Sequence, residues 1–132
     1  MFLTIHGFTF EVPEDITPAL DQRVDSGWAI AHLKDTGGSC SYDAWRANGL
    51  MDGYNGTVEF LTAVAKPTNQ TKKEFPRKTD REVITECYEH AQPGEAQAFW
   101  DWYSEKKGWK KLLAEQSESN TIDSPATENP SV

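Results

Sequence analysis

Residues 2–12 read FLTIHGFTFEV, and the way this stretch folds decides the class of the whole chain. Two runs of β-forming residues stand either side of His6-Gly7. In the second run Phe8, Phe10 and Val12 share one face while Thr9 and Glu11 share the other, which is the period of two expected of a half-buried strand. The stretch is therefore predicted to be a β-hairpin turning at His6-Gly7. Pro13 ends it, because proline brings no N–H to a ladder.

Working outward, Thr17-Pro18 supplies an N-cap and a first helical residue whose φ is already set, so a short helix is predicted from there to about Gly27. WAIAHL, residues 28–33, is short, apolar and followed by KDTGG, the pattern of a third strand closing in a glycine turn. Ser41 can cap a short helix through Trp45 that Asn48-Gly49 closes. GLMDGYNG, residues 49–56, is predicted to be a loop; its three glycines have neither the spacing nor the neighbouring lysine of a phosphate cradle. TVEFLTAVA, residues 57–65, alternates as a strand would, although Val58, Leu61 and Val64 also suit a helix. Pro67 ends it in either case.

The carboxy-terminal third carries the firmest local signals. Thr79-Asp80-Arg81-Glu82 is a capping box: the threonine oxygen accepts from the amide three residues on, and the glutamate reaches back to the threonine N–H. Val83, Ile84, Cys87, Tyr88 and Ala91 then recur on one helical face. A second helix is predicted from near Pro93 to about Lys107, with Ala96, Phe99, Trp100 and Tyr103 on its apolar face and Gly108 closing it in the left-handed conformation. The fold class expected is α+β, a small antiparallel sheet from the amino-terminal half packed by the two carboxy-terminal helices. Residues 1–113 form its single domain, and residues 114–132 are expected to be a disordered polar tail.

Composition limits the function. The chain has 132 residues and a net charge of −8. Residues 66–81 hold six basic and two acidic side chains, whereas residues 1–65 hold three basic and nine acidic ones. An acidic body with one basic segment does not suit general duplex DNA binding, which depends on concentrated Lys and Arg. No stretch approaches the roughly 18 apolar residues of a membrane span, and the amino-terminal residues have no basic and apolar leader pattern, so a cytoplasmic protein without a membrane partner is expected. Cys40 and Cys87 have no Cys or His neighbours at zinc spacing, which leaves a disulfide scaffold or zinc finger without support. The sequons at Asn55 and Asn69 then read as turn chemistry.

No hydrolase, metalloprotease, nucleotide or redox motif is present. His32 and Cys40 flank the Gly37-Gly38 turn without an orienting third group, and Cys87, three residues before His90, falls on an apolar helix face where packing accounts for it. No catalytic residue, metal ligand or cofactor is assigned, and an enzyme is the least favoured reading. Trp102 is different. It lies about 200° round an ideal helix from Trp100, so one apolar face cannot bury both, and either the helix is packed on two sides or Trp102 meets a partner. Tryptophan and tyrosine are enriched at binding hot spots, and a protein-binding surface is assigned to Trp102, Tyr54, Asp43 and Asp52, facing a partner with a basic surface such as a host nucleic-acid-handling protein. The alternative is weak single-stranded nucleic-acid binding through Lys72, Lys73, Arg77 and Lys78, with Trp102 stacking on bases.

The segment FWDWYSEKKGWK, residues 99–110, resembles the short carboxy-terminal aromatic helix of bacteriophage replication-initiation and helicase-recruiting proteins. Phe99, Tyr103, Gly108, Trp109 and Lys110 carry the resemblance, with an insertion before the glycine. In that family a second tryptophan-bearing segment follows; here the chain continues KLLAEQSESN. The resemblance implies an origin in a phage or mobile element, and with it an accessory role of binding and modulating, most simply inhibiting, a host or viral protein.

Nothing beyond Leu113 can bury appreciable apolar area. A chain ended there is expected to melt at the temperature of the full chain, and a large drop by differential scanning calorimetry would show that the tail contributes to folding.

Overall fold

The computed structural model describes residues 1–108. They fall into two compact units, one of residues Met1–Phe99 and one that begins at Trp100. The fold is α+β: a three-stranded antiparallel sheet and, among the described residues, six α-helices.

Strands β1 (Phe2–Ile5) and β2 (Phe8–Glu11) form the expected hairpin, with Ile5 opposite Phe8 and Phe2 opposite Glu11. The two-residue turn has positive φ at both His6 (53°) and Gly7 (81°), as the twist of a tight hairpin requires. Ile5, Phe10 and Val12 are buried while Thr4 and Glu11 face out. The third strand, β3 (Lys66–Pro67), pairs with β2 for two residues. Beyond it Thr71 continues the edge with its side chain: its hydroxyl donates to the Thr9 carbonyl at 2.8 Å and accepts from the Thr9 N–H at 3.1 Å. Thr71 belongs to the short helix α4 (Asn69–Lys73), so part of the basic segment completes the sheet while Lys72, Lys73, Arg77 and Lys78 stay exposed.

Helix α1 (Pro18–Thr36) starts as predicted, with the Thr17 hydroxyl accepting from the Leu20 N–H. It does not stop at Gly27, and the strand expected over residues 28–33 is helix. Leu20, Val24, Gly27, Trp28 and Ala31 are buried along one side, a helical period that runs straight across the supposed break. Gly27 is there for contact. A Cβ on it would lie 3.2 Å from both the Cβ and the carbonyl oxygen of Glu59, so the missing side chain is what lets the next long helix approach. Gly37, with φ 60°, ends α1 by donating its N–H to the Leu33 carbonyl.

That partner is α3 (Tyr54–Val64), which makes the most extensive helix contact of the fold with α1. Residues 57–65 are thus helical up to Val64, and the strand reading is excluded: Val58, Glu59, Phe60, Leu61 and Val64 are all buried, on more than one side, and an alternating pattern cannot distinguish two-sided burial from a strand. The expected loop at residues 49–56 contains a 3-10 turn (Leu50–Asp52) and the first turn of α3. Their backbones cross at Gly56, where a Cβ would sit 2.1 Å from the Met51 carbonyl oxygen. Helix α2 (Tyr42–Ala47) is capped by Ser41 as anticipated.

The capping box of α5 (Asp80–Glu89) is complete, with Thr79 Oγ1 accepting from the Glu82 N–H at 3.2 Å and Glu82 accepting from the Thr79 N–H at 2.9 Å. Helix α5 packs on α3 and β3. Helix α6 (Glu95–Lys107) follows, and Gly108 has the expected left-handed φ of 75°. Trp109 and the proposed tail lie outside the described residues.

Where α1, α3 and α5 meet, Glu59 is only 3% exposed yet carries a carboxylate. Arg81 of α5 grips it with two hydrogen bonds, 2.9 and 2.5 Å, and Lys34 of α1 donates at 3.3 Å. The bidentate bond holds the Arg81 guanidinium above its ordinary pKa. Arg81 is 43% exposed and Lys34 51%, so the buried member of the cluster is the anion. Removing its main partner should therefore cost more than removing the anion itself. Arg81→Met is expected to destabilise by about 1–3 kcal/mol, the range for a buried polar group left under-satisfied, while Glu59→Met, which leaves two cations able to reach water, should cost less than about 1 kcal/mol. Urea denaturation measures both; the reverse order would show that the carboxylate is not what needs its partners.

Candidate protein-binding surface

The segment from Ser41 to Tyr54 is held on α1 by aromatic side chains. Trp45 is fully buried and donates its indole N–H to Asp35 at 3.0 Å. Asn55 donates to the other Asp35 oxygen at 2.8 Å, so one α1 carboxylate fixes both α2 and the start of α3. Tyr42 stacks on Trp45 and donates to Asp25 at 2.9 Å. Burial first, and then this hydrogen bond to Asp25, push the Tyr42 phenol up to about 12. Arg46 pairs with Asp25 at 3.5 Å and lies 5.0 Å from the Trp28 ring centroid, a cation–π contact.

His32 is part of this docking. It is 8% exposed, its ring meets Tyr42 and Trp45 edge-on, and its Nε2 hydrogen-bonds the Cys40 backbone carbonyl. The carbonyl, not the thiol, receives the imidazole. The Cys40 thiol instead donates to the Ser41 carbonyl at 3.5 Å, so the two residues do not assemble as a nucleophile and its base.

With the segment so held, its outer side presents Asp43 on the first turn of α2, then Leu50 and Asp52 of the 3-10 turn, then Tyr54. Helix α2 and the 3-10 turn touch, which brings these residues into one neighbourhood. Leu50 is 46% and Tyr54 49% exposed. The Tyr54 hydroxyl donates to Glu89 at 2.8 Å, a bond that raises its pKa and, with the Tyr88 ring 5.8 Å away, orients the exposed ring. The carboxylates of Asp43 and Asp52 have no partner among the described residues.

Trp102, assigned to this surface from its helical phase, does not belong to it. It is 5% exposed, and a buried indole offers no face to a partner or a base. The basic set is also partly used within the fold. Lys72 pairs with Asp80 at 3.3 Å and Lys78 with Glu86 at 3.4 Å, while Arg81 is committed to Glu59. Lys73 and Arg77 are exposed. Sequence reasoning missed Leu50, and it missed Ile30 and Leu33, exposed at 46% and 59% on α1. Once residues 28–33 are read as helix, their phase opposite Trp28 and Ala31 places them outside.

A cleft of about 520 Å³ opens beside the hairpin, walled by Phe2, Thr9, Thr68, Gln70, Thr71 and Glu74. The hydroxyls of Thr68 and Thr71 bond to each other and to the Thr9 carbonyl, so that wall is internally satisfied. Among the described residues no group of three or more His, Cys, Asp or Glu is placed to hold a metal, and no helix is long and apolar enough to cross a membrane. No protein-family model, curated protein or solved structure matches the chain.

The two cysteines differ in environment. Cys87 is 1% exposed, and burial, followed by the nearby Glu86 and Glu95 charges, pushes its thiol up to about 11; Cys40 is half-buried. Since the thiolate is the reactive form, a disulfide reagent at about pH 8 is expected to titrate Cys40 in the native protein and Cys87 only after unfolding. Equal native rates would show that the α5 face opens freely.

Proposed function

We propose that the chain is a non-enzymatic accessory protein, of phage or mobile-element origin and acting in the cytoplasm, that binds and inhibits a host or viral protein through an acidic, aromatic surface. The observation that carries this reading is the pairing of two exposed, unpartnered carboxylates, Asp43 and Asp52, with exposed Leu50 and Tyr54 on a segment that buried Trp45 and half-buried Tyr42 hold in place. A rigidly mounted tyrosine costs little entropy on binding, and the carboxylates steer a positively charged partner. Proteins that handle nucleic acid carry such basic surfaces, which makes them the class of target favoured. The phage origin rests on the resemblance of residues 99–110.

The single-stranded nucleic-acid reading is weaker, because Trp102 is buried and Lys72 and Lys78 already face carboxylates.

Capture by the tagged full-length protein from a bacterial lysate identifies the partner, and variants then test the surface. The double reversal Asp43→Lys with Asp52→Lys is expected to weaken that complex about tenfold, at somewhat under 1 kcal/mol per exposed charge, whereas neutralising Lys72 and Lys73 should change little. Titration with a single-stranded oligonucleotide near physiological salt should leave the tryptophan fluorescence unchanged. Salt-sensitive quenching, together with a complex indifferent to the aspartate reversals, would favour the nucleic-acid reading instead.

A further inference from the structure

The hairpin turn does more than reverse the chain. His6 is the only non-glycine residue with positive φ among the described residues, in a turn position where asparagine or glycine is the unstrained choice. Its backbone N–H donates to Glu95 Oε1 at 3.1 Å, and the same oxygen accepts from the Gln92 N–H at 2.7 Å. One carboxylate therefore ties the turn to the segment that follows α5. The His6 ring is brought 5.3 Å, centroid to centroid, from the ring of His90 at the C-cap of α5, with 32° between the planes.

The state of the His90 ring is set by its neighbour. Its Nδ1 lies 3.0 Å from the Glu86 carbonyl oxygen, which can only accept, so in the neutral ring Nδ1 carries the proton and Nε2 has the lone pair. A backbone carbonyl holding one ring nitrogen and thereby freeing the other is the usual support of a metal-binding histidine. The His6 ring makes no hydrogen bond among the described residues; its contacts are the rings of His90 and Phe8. Two imidazoles bound to one ion at about 2.0 Å per nitrogen and a tetrahedral angle have centroids roughly 5 Å apart. The observed centroid separation of 5.3 Å is of that size. Both residues are exposed, so an ion reaches them from solvent.

We infer that His6 and His90 form a site for a divalent transition ion such as Zn²⁺, Ni²⁺ or Cu²⁺, which favour imidazole nitrogen, bridging the β1–β2 turn to the end of α5. No third His, Cys, Asp or Glu joins the pair in a metal-holding group among the described residues. Water fills the remaining positions, and the site is open and exchangeable, unlike a closed structural zinc centre.

The test is calorimetric titration of the full, untagged chain with Zn²⁺ alone at about pH 7.5, where free histidine is mostly neutral. His6→Asn keeps a residue that accepts the left-handed turn while removing the imidazole, and His90→Gln removes the second ligand; far-UV circular dichroism checks that both fold as the parent does. One saturable ion per chain is expected, weakened at least about tenfold by either substitution and unchanged by Cys40→Ser. Zinc should also raise the melting temperature of the parent and of Cys40→Ser, and of neither histidine variant. The inference is overturned by no saturable binding up to roughly 1 mM, by loss in Cys40→Ser, or by retention in either histidine variant.

Discussion

The packing of α1, α3 and α5 is constrained by a buried carboxylate and the cations it must meet. Glu59 sits in the middle of α3, against the backbone notch that Gly27 leaves in α1 and beneath the guanidinium of Arg81 on α5. Burying an unpaired carboxylate is prohibitive, so this helix can take its place only when the cations from the other two arrive with it. The arrangement is a registry device as much as a source of stability. Sliding α1 by one turn would move both the glycine notch and Lys34 away from Glu59, and rotating α5 would withdraw Arg81. The capping box at Thr79 contributes here too, since it sets where α5 begins and so where Arg81, in its first turn, points.

A second consequence concerns charge. The six basic residues of the 66–81 segment look in sequence like a cationic stretch set apart from an acidic body. In the fold Arg81, Lys72 and Lys78 each face a carboxylate. The Lys72–Asp80 and Lys78–Glu86 pairs, exposed on both sides, contribute little stability, but together with Arg81–Glu59 they lower the local positive potential that a phosphate backbone would need. The acidic body is spent less evenly: Asp25 and Asp35 are occupied in holding α2 and α3 to α1, whereas Asp43 and Asp52 are left facing solvent. The asymmetry follows from which carboxylates the aromatic residues recruit.

The hairpin turn shows the same economy in a different place. His6 adopts a conformation that glycine would accept more easily, and Glu95 holds it there while His90 stands opposite. Local strain kept by surrounding contacts is commonly associated with sites that act, and here the contacts on the amino-terminal turn come from residues near the other end of the first unit's sequence.

The sequence by itself determined the elements whose signals are local. The hairpin follows from alternation around His6-Gly7, the starts of α1, α2 and α5 from hydroxyl caps that bond three residues ahead, and the end of α6 from Gly108; each is complete within a few residues and survives whatever packs on it. Asp43, Asp52 and Tyr54 were legible as exposed acidic and aromatic residues, but the exposure of Leu50 was not. Only the tertiary structure decided the rest. Gly27 reads as a stop until α3 is there to need the space; residues 57–65 read as a strand until burial on several sides makes the alternation accidental; Trp102 reads as a surplus aromatic until its burial is seen. His6 and His90 have no sequence relation at all. In each case the deciding partner lies far along the chain, and a pattern confined to neighbouring residues carries no record of what will pack against them.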